Sequence, residues 1–231
     1  KSKEEIERHL GADYSFSFEG PYGTEDERVM DYALKVYPAT RNRMPEPFLE
    51  ELNRSSKKNP GESRKEYVQW QRGPLSKTPL ELMKSWVDTV AAQDNVWLVL
   101  VFHGVDSVGW EALPSELLKD YWTYIAEAKD SLWVATFWDV TRYMRERMAA
   151  QVSAREEKGK IDVTITHSLK PELYNIPLTL KTYVPADWKK AKVRQGTIEN
   201  EVATQRDSEG VFVKYDAAGD GQAVTLEGML E

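Results

Sequence analysis

The chain has 231 residues, 41% of them hydrophobic and 30% charged, which is enough apolar material for one large domain or for a medium and a small one. Its 31 basic residues are outnumbered by 38 acidic ones, a net charge of -7, and this argues against nucleic acid as a partner because phosphate binding depends on clustered Lys and Arg. The longest apolar run, Val96 to Val105, falls short of the roughly 20 residues a membrane-spanning helix requires, so no membrane partner is expected. With no cysteine, any transition metal would be held by imidazole and carboxylate.

The first predicted element is an amphipathic helix over Ser2 to Leu10 with a glycine stop at Gly11. The chain opens inside this helix and without Met, so an upstream segment is expected before it. Tyr14, Phe16 and Phe18 alternate with Ser15 and Ser17, the period of a half-buried strand, which ends at Pro21-Tyr22-Gly23. Thr24 and Glu27 form a capping box, and Val29, Met30, Ala33 and Leu34 share the face of the helix that follows. A second helix starts at Thr78-Pro79, carries Leu82, Met83, Trp86, Val87 and Val90, and is closed by Asp94-Asn95.

Val96 to Phe102 is apolar on both faces, as in a strand covered on both sides of a parallel sheet, and it stops at His103. A loop from Gly104 to Leu113 precedes Pro114 and a helix with Leu117, Leu118, Tyr121, Trp122 and Ile125. A further buried strand is predicted over Leu132 to Phe137 and a helix from Val140 to Ala150. This alternation is a βα signature, whose working loops lie at strand C-terminal ends. Ser153 to Lys160 is charged and lacks apolar periodicity, so it is read as a linker between a domain of residues 1–152 and one of residues 161–231. Beyond it Ile161, Val163 and Ile165 alternate, then Leu178, Leu180, Thr182 and Val184, then Val211, Val213 and Tyr215, then Val224 and Leu226, which predicts a small all-β sandwich.

His103 is the strongest candidate for chemistry. It ends a buried strand and opens the loop Phe102-His103-Gly104-Val105-Asp106, where an imidazole can be partly desolvated, reach substrate and act as general acid or base; the competing reading is a core histidine bonded to backbone. Asp106 either orients His103 or caps the loop. Pro21-Tyr22-Gly23 is a strand-end turn in which the Tyr22 backbone N–H can face an oxyanion, against the plainer reading of an ordinary turn. Trp110, with Trp70 and Trp138 behind it, is a candidate sugar-stacking wall, while Trp86, Trp97, Trp122 and Trp133 fit core positions. No metal site is legible: His9, His103 and His167 are far apart, with His9 on a surface helix and His167 in the β-domain.

Three of these stretches together resemble the polysaccharide deacetylases of the Nod-factor deacetylase type, carbohydrate esterase family four. The helix to Gly11 followed by Ser15-Phe16-Ser17-Phe18-Glu19-Gly20-Pro21-Tyr22-Gly23 is similar to that family's third motif, Arg-Pro-Pro-Tyr-Gly, with Glu19 or Gly20 at the arginine position. Leu98 to His103 with its glycine is similar to the fifth motif, whose histidine the family uses as general acid. Leu132 to Tyr143 is similar to the strand and helix that close the domain. There is no Asp-x-x-Asp-Trp fourth motif, and Arg41, Arg43 or Arg64 are the candidates to replace the missing arginine.

The resemblance covers roughly residues 1–150. It implies the C-terminal part of a deformed (β/α) barrel in which one divalent metal, zinc by preference, is held by an Asp and two His and activates water for attack on an acetyl group. Those ligands precede the first residue here, and an N-terminal fragment of the same protein is an implied partner. The expected activity is removal of N- or O-linked acetyl groups from an acetylated polysaccharide or oligosaccharide, in a secreted or cell-envelope setting. His103 would be the general acid, and Tyr22, Pro21, Val101, Asp106 and Trp110 would meet substrate. Two rivals differ in class: a non-catalytic carbohydrate-binding protein on the same fold, and a glycosidase using two carboxylates such as Glu19 and Asp106.

Overall fold

Helices alternate with short strands through the first half of the chain, and from Gln151 onward the secondary structure is strand alone. The computed structural model describes residues 1–11, 15–23, 26–33, 35–41, 69–92 and 96–230. Contacts divide the chain into two units, Lys1–Trp138 and Asp139–Glu231. The expected strand residue Tyr14, the Thr24 cap, Leu34, the Asp94-Asn95 stop, Arg43 and Arg64 lie outside the described residues.

In the first unit, α1 (Ser2–Leu10) is followed by β1 (Ser17–Phe18), α2 (Glu27–Ala33) and β2 (Ala39–Thr40). Then come β3 (Gln69–Arg72), α3 (Leu80–Ala91), β4 (Trp97–Leu100) and α4 (Ser115–Glu127). β1 runs parallel to β2, and β3 runs parallel to β4 with Trp70 opposite Leu98 and Arg72 opposite Leu100. Among the described residues these two-stranded ladders do not close into a barrel. The β4 ladder is shorter than the apolar run, because only Trp97–Leu100 has β3 beside it, extended by one bond from Val101 N–H to the Arg72 carbonyl (2.9 Å).

Helical spacing puts Met83, Trp86 and Val87 of α3 and Tyr121 and Ile125 of α4 into one core with Trp70 of β3. Leu98 and Leu100 of β4 pack around it. Each such buried apolar side chain contributes on the order of 1.5–3 kcal/mol. Tyr124 of α4 donates its hydroxyl to Asp88 of α3 and ties the two helices together.

Leu132 to Phe137 is not a buried strand. Residues 132–136 run irregularly, with Trp133 and Val134 exposed, and Phe137 already begins α5 (Phe137–Ala149). An apolar run becomes a strand only where a ladder is available to satisfy its backbone groups. Phe137 packs on Trp97, with ring centroids 4.7 Å apart, and Trp138 packs on Phe16 at 3.8 Å.

From Asp139 the rest of α5 belongs to the second unit, so the division falls inside this helix and not at residues 153–160. The expected linker is regular structure: β5 (Gln151–Glu157) pairs antiparallel with β6 (Lys160–Thr166) across a turn at Gly159, whose φ of 72° suits a glycine. Every residue of β5 is exposed, which is why the strand carries no apolar signal.

The remaining strands are β7 (Leu178–Val184), β8 (Lys190–Gln195), β9 (Ile198–Ala203), β10 (Gln205–Arg206), β11 (Val211–Ala217) and β12 (Val224–Met229). They make a five-stranded antiparallel sheet in the order β5-β6-β12-β8-β9 and a three-stranded one in the order β10-β11-β7. Ile161, Val163 and Ile165 of β6, Val193 of β8 and Leu226 of β12 meet Leu178 of β7 and Val213 and Tyr215 of β11 in a single core. That is a small sandwich. Trp188 lies so close over Gly228 that a Cβ there would sit 2.1 Å from the indole.

Candidate functional site

His103 follows β4 and is exposed, so its imidazole is neither a core histidine nor the partly desolvated group its strand position suggested. Its neighbour Gly104 is buried, and a Cβ at that position would lie 2.2 Å from the Val108 carbonyl oxygen. Only glycine lets the chain fold back this tightly directly after the imidazole.

The loop then closes on itself. Gly104 N–H donates to the Trp110 carbonyl (3.0 Å), Leu113 N–H donates to the Gly104 carbonyl (3.0 Å), and Asp106 N–H donates to the Leu113 carbonyl (3.0 Å). Four of its residues sit in the left-handed region, Asp106 at φ 49°, Ser107 at 69°, Gly109 at 91° and Glu111 at 48°, of which only one is glycine. The fold-back brings Trp110 edge-on to His103, with ring centroids 4.6 Å apart and planes at 84°, while leaving the indole 64% exposed. An aromatic held this way presents free ring surface beside a titratable nitrogen.

Asp106 takes the second of its two predicted roles. Its Oδ1 accepts from Ser115 N–H (2.8 Å), the first amide of α4, where the preceding Pro114 offers no side-chain acceptor. These bonds hold the Asp106 carboxyl below the usual carboxylate range. Glu111 is held low in the same way, chiefly by the hydroxyl and N–H of Ser76, with Lys77 and His103 adding smaller electrostatic contributions. Sequence reading missed Glu111 and Ser76, because nothing in the spacing links two polar residues 35 positions apart.

Tyr22 has a φ of 61° and is 99% exposed, so its ring touches almost nothing in the chain and forms no pocket wall; its exposed neighbour Pro21 completes the turn. Val101 is half-buried beside His103, and its carbonyl lies 3.1 Å from where a Gly73 Cβ would be. Among the sequence-predicted site residues the structure therefore brings together His103 and Trp110, while Val101 faces Gly73. The structure commits Asp106 to α4.

Of the arginines considered for the vacant motif position, Arg41 follows β2 and pairs through its guanidinium with Glu19, Nε to Oε2 at 2.8 Å. This occupies one of the two carboxylates named as an example for the glycosidase reading. Trp70 is core and not wall, Trp138 is packed on Phe16, and Trp122 and Trp133, read as core, are 46% and 56% exposed. Among the described residues no three His, Asp or Glu side chains gather as metal ligands.

The second unit holds a buried polar pair. His167, just after β6, has Nε2 3.7 Å from Oε2 of Glu146 on α5, and the two side chains are 5% and 0% exposed. Glu146 Oε1 accepts from Ile176 N–H (3.0 Å). Burial pushes the Glu146 carboxyl up, against the smaller opposing pulls of that bond, His167 and Arg142. A sequence signal existed, since Glu146 falls three residues after Tyr143, which packs on the sandwich core. No family model matches the chain, and no curated protein does either.

Proposed function

We propose that this chain is part of a deacetylase that removes acetyl groups, N- or O-linked, from a polysaccharide or oligosaccharide, on a fold related to the deformed (β/α) barrel, with His103 as general acid. The observation that carries the reading is the His103 loop itself: an exposed imidazole at the end of a parallel strand, fixed beside an exposed indole by a braced, backbone-strained turn. Strain of this kind in non-glycine residues costs about 1–3 kcal/mol each and gathers at sites that need a set geometry.

The divalent metal that the resemblance implies, zinc by preference, finds no ligand cluster among the described residues, and its holders are assigned to residues outside this chain. This chain's own contribution is proton delivery and shape. Protonated His103 gives its proton to the leaving amine or hydroxyl as the acetyl carbon–heteroatom bond breaks. Val101 and Trp110 flank the acetyl-bearing sugar. The Tyr22 N–H is the donor proposed for the developing oxyanion, a role that depends on its backbone and not on its exposed ring.

The test is acetate release from an acetylated oligosaccharide by the metal-loaded protein and by its His103→Ala variant. The expected result is a kcat lower by about 10²–10⁴-fold with KM little changed. An unchanged rate in an otherwise active protein overturns the role. The second reading, a non-catalytic carbohydrate-binding protein, draws on the 64% exposed Trp110. Oligosaccharide binding by calorimetry, lost in Trp110→Ala and accompanied by no acetate release, would establish that reading instead.

A further inference from the structure

The His103 loop is tied to the rest of the first unit by two carboxylates. Asp106 holds the helix that comes next in the chain, α4, and so fixes only the far end of the loop. Glu111 reaches back 35 residues to Ser76, where its Oε2 accepts both the backbone N–H (2.9 Å) and the hydroxyl. Ser76 sits in the turn after β3, itself stiffened by Leu75 N–H to Thr78 Oγ1 (2.9 Å) and Thr78 N–H to the Leu75 carbonyl (2.9 Å). The Glu111 clamp therefore joins the segments that leave the C-terminal ends of two paired strands, β3 and β4.

Glu111 holds this position at a conformational cost. Its φ of 48° is one a glycine adopts freely and a glutamate does not, so the local backbone argues against a side chain here and the side chain is present nonetheless. The residue just before it is Trp110, whose carbonyl receives the Gly104 N–H and whose indole stands edge-on to His103 at 4.6 Å. Rotation of the Glu111 backbone out of the left-handed region would swing that indole away from the imidazole. The carboxylate is also near enough to His103 for the two to influence each other electrostatically.

We propose that Glu111 is a positioning residue for His103: by clamping Ser76 it locks the left-handed turn that sets Trp110 against the imidazole and thereby fixes the orientation of the ring. This rests on the reading of His103 as the working imidazole.

The clamp is tested by proton NMR on the 231-residue chain. The His103 ring signals are assigned by their loss in His103→Gln, and the displacement caused by the indole ring current is defined by its disappearance in Trp110→Leu. Glu111→Ala is expected to remove at least half of that displacement. Glu111→Gln, whose amide oxygen still accepts from Ser76, is expected to keep most of it. An intact displacement in a folded Glu111→Ala overturns the proposal, as does equal loss in the Ala and Gln variants.

Should Glu111→Ala fail to fold, Ser76→Ala decides. It deletes one of the two donors from an exposed turn, and the proposal requires partial loss of the displacement and fails if there is none. No step of this test depends on acetate release. Absence of acetate release by the metal-loaded full-length protein would sink the deacetylase reading without touching the clamp, and an unmoved His103 signal would sink the clamp without touching the activity.

Discussion

The imidazole of His103 is open to solvent at the end of a strand, with backbone hydrogen bonds beneath it and one indole edge beside it, whereas His167 is 5% exposed and faces a carboxylate that is 0% exposed. The two histidines have the same chemistry and opposite surroundings. A buried pair whose members see each other and no solvent cannot meet a substrate, so Glu146 and His167 serve the architecture: the carboxylate takes the Ile176 N–H and joins α5 to the segment before β7. An exposed imidazole on a braced loop contributes little to stability and is open to contact from outside the chain.

The two histidine environments respond most differently to a change at Glu146. Glu146→Ala strands the Ile176 N–H and leaves His167 facing a void, and breaking a buried pair from one side costs about 3–5 kcal/mol. Denaturant unfolding should show a loss of that order, and hydrogen exchange should show the Ile176 amide losing protection. The His103 ring signals should not move. A loss under about 1 kcal/mol, the worth of an ordinary hydrogen bond, would mean that the pair is not structural.

Gly104→Ala gives the opposite pattern with a smaller effect. The new Cβ would meet the Val108 carbonyl oxygen at 2.2 Å and the Ala112 Cβ at 3.0 Å, so backbone has to shift. Overpacking of this kind costs about 1–3 kcal/mol, and here the cost falls on the loop. His103 and Trp110 should lose their mutual orientation, seen as collapse of the His103 ring-current displacement, while Ile176 keeps its exchange protection.

Much of the second unit was legible because each inner strand repeats a two-residue alternation: Ile161, Val163 and Ile165 are 5%, 1% and 0% exposed, as the pattern demands. The strand β5 was not legible, since an edge strand exposed on both sides has no apolar period and its charges resemble those of a linker. In the first unit the apolar spacing located α3 and α4, and Met83, Trp86, Tyr121 and Ile125 are buried, whereas Leu82 and Trp122 of the same stripes are exposed.

The run from Leu132 to Phe137 failed because hydrophobicity says that a segment is apolar and not whether a ladder awaits it. The apolar run that leads to His103 was visible, although β4 itself ends at Leu100, while the elements that set the orientation of His103 were not. Glu111 is half-buried and Ser76 exposed, both are polar and distant in sequence, and only the fold-back made possible by Gly104 brings them together.

The pH dependence of stability separates the two regions again. Burial raises the Glu146 carboxyl, so within the interval above the unfolded value and below the folded one the native state holds a proton that the unfolded chain has released. Stability must then fall as pH rises through that interval. Carboxylates held low, Asp106 and Glu111 among them, act in the opposite sense and lose stability as pH falls below the ordinary carboxylate range. Subtracting the stability profile of Glu146→Gln from that of the parent isolates the first effect, and the difference should slope downward with rising pH. A flat difference would mean that Glu146 is no more easily protonated in the folded chain than in the unfolded one.

Tyr121 supplies the smallest and most discriminating case. It is 0% exposed in the core between α3 and α4, and its hydroxyl finds no hydrogen-bond partner among the described residues, so burial pushes its pKa up. Glu146 has Ile176 to repay part of its desolvation. Tyr121 has no such bond. Removing the hydroxyl therefore deletes a group that was carried into the core at a cost of about 1–3 kcal/mol, offset by the small cavity left behind. Tyr121→Phe is expected to be neutral or up to about 1 kcal/mol more stable by denaturant midpoint, with the His103 signals unchanged. Destabilisation by more than about 1 kcal/mol would show that the hydroxyl is satisfied in solution, and would place Tyr121 with Glu146 among the polar groups that hold the fold.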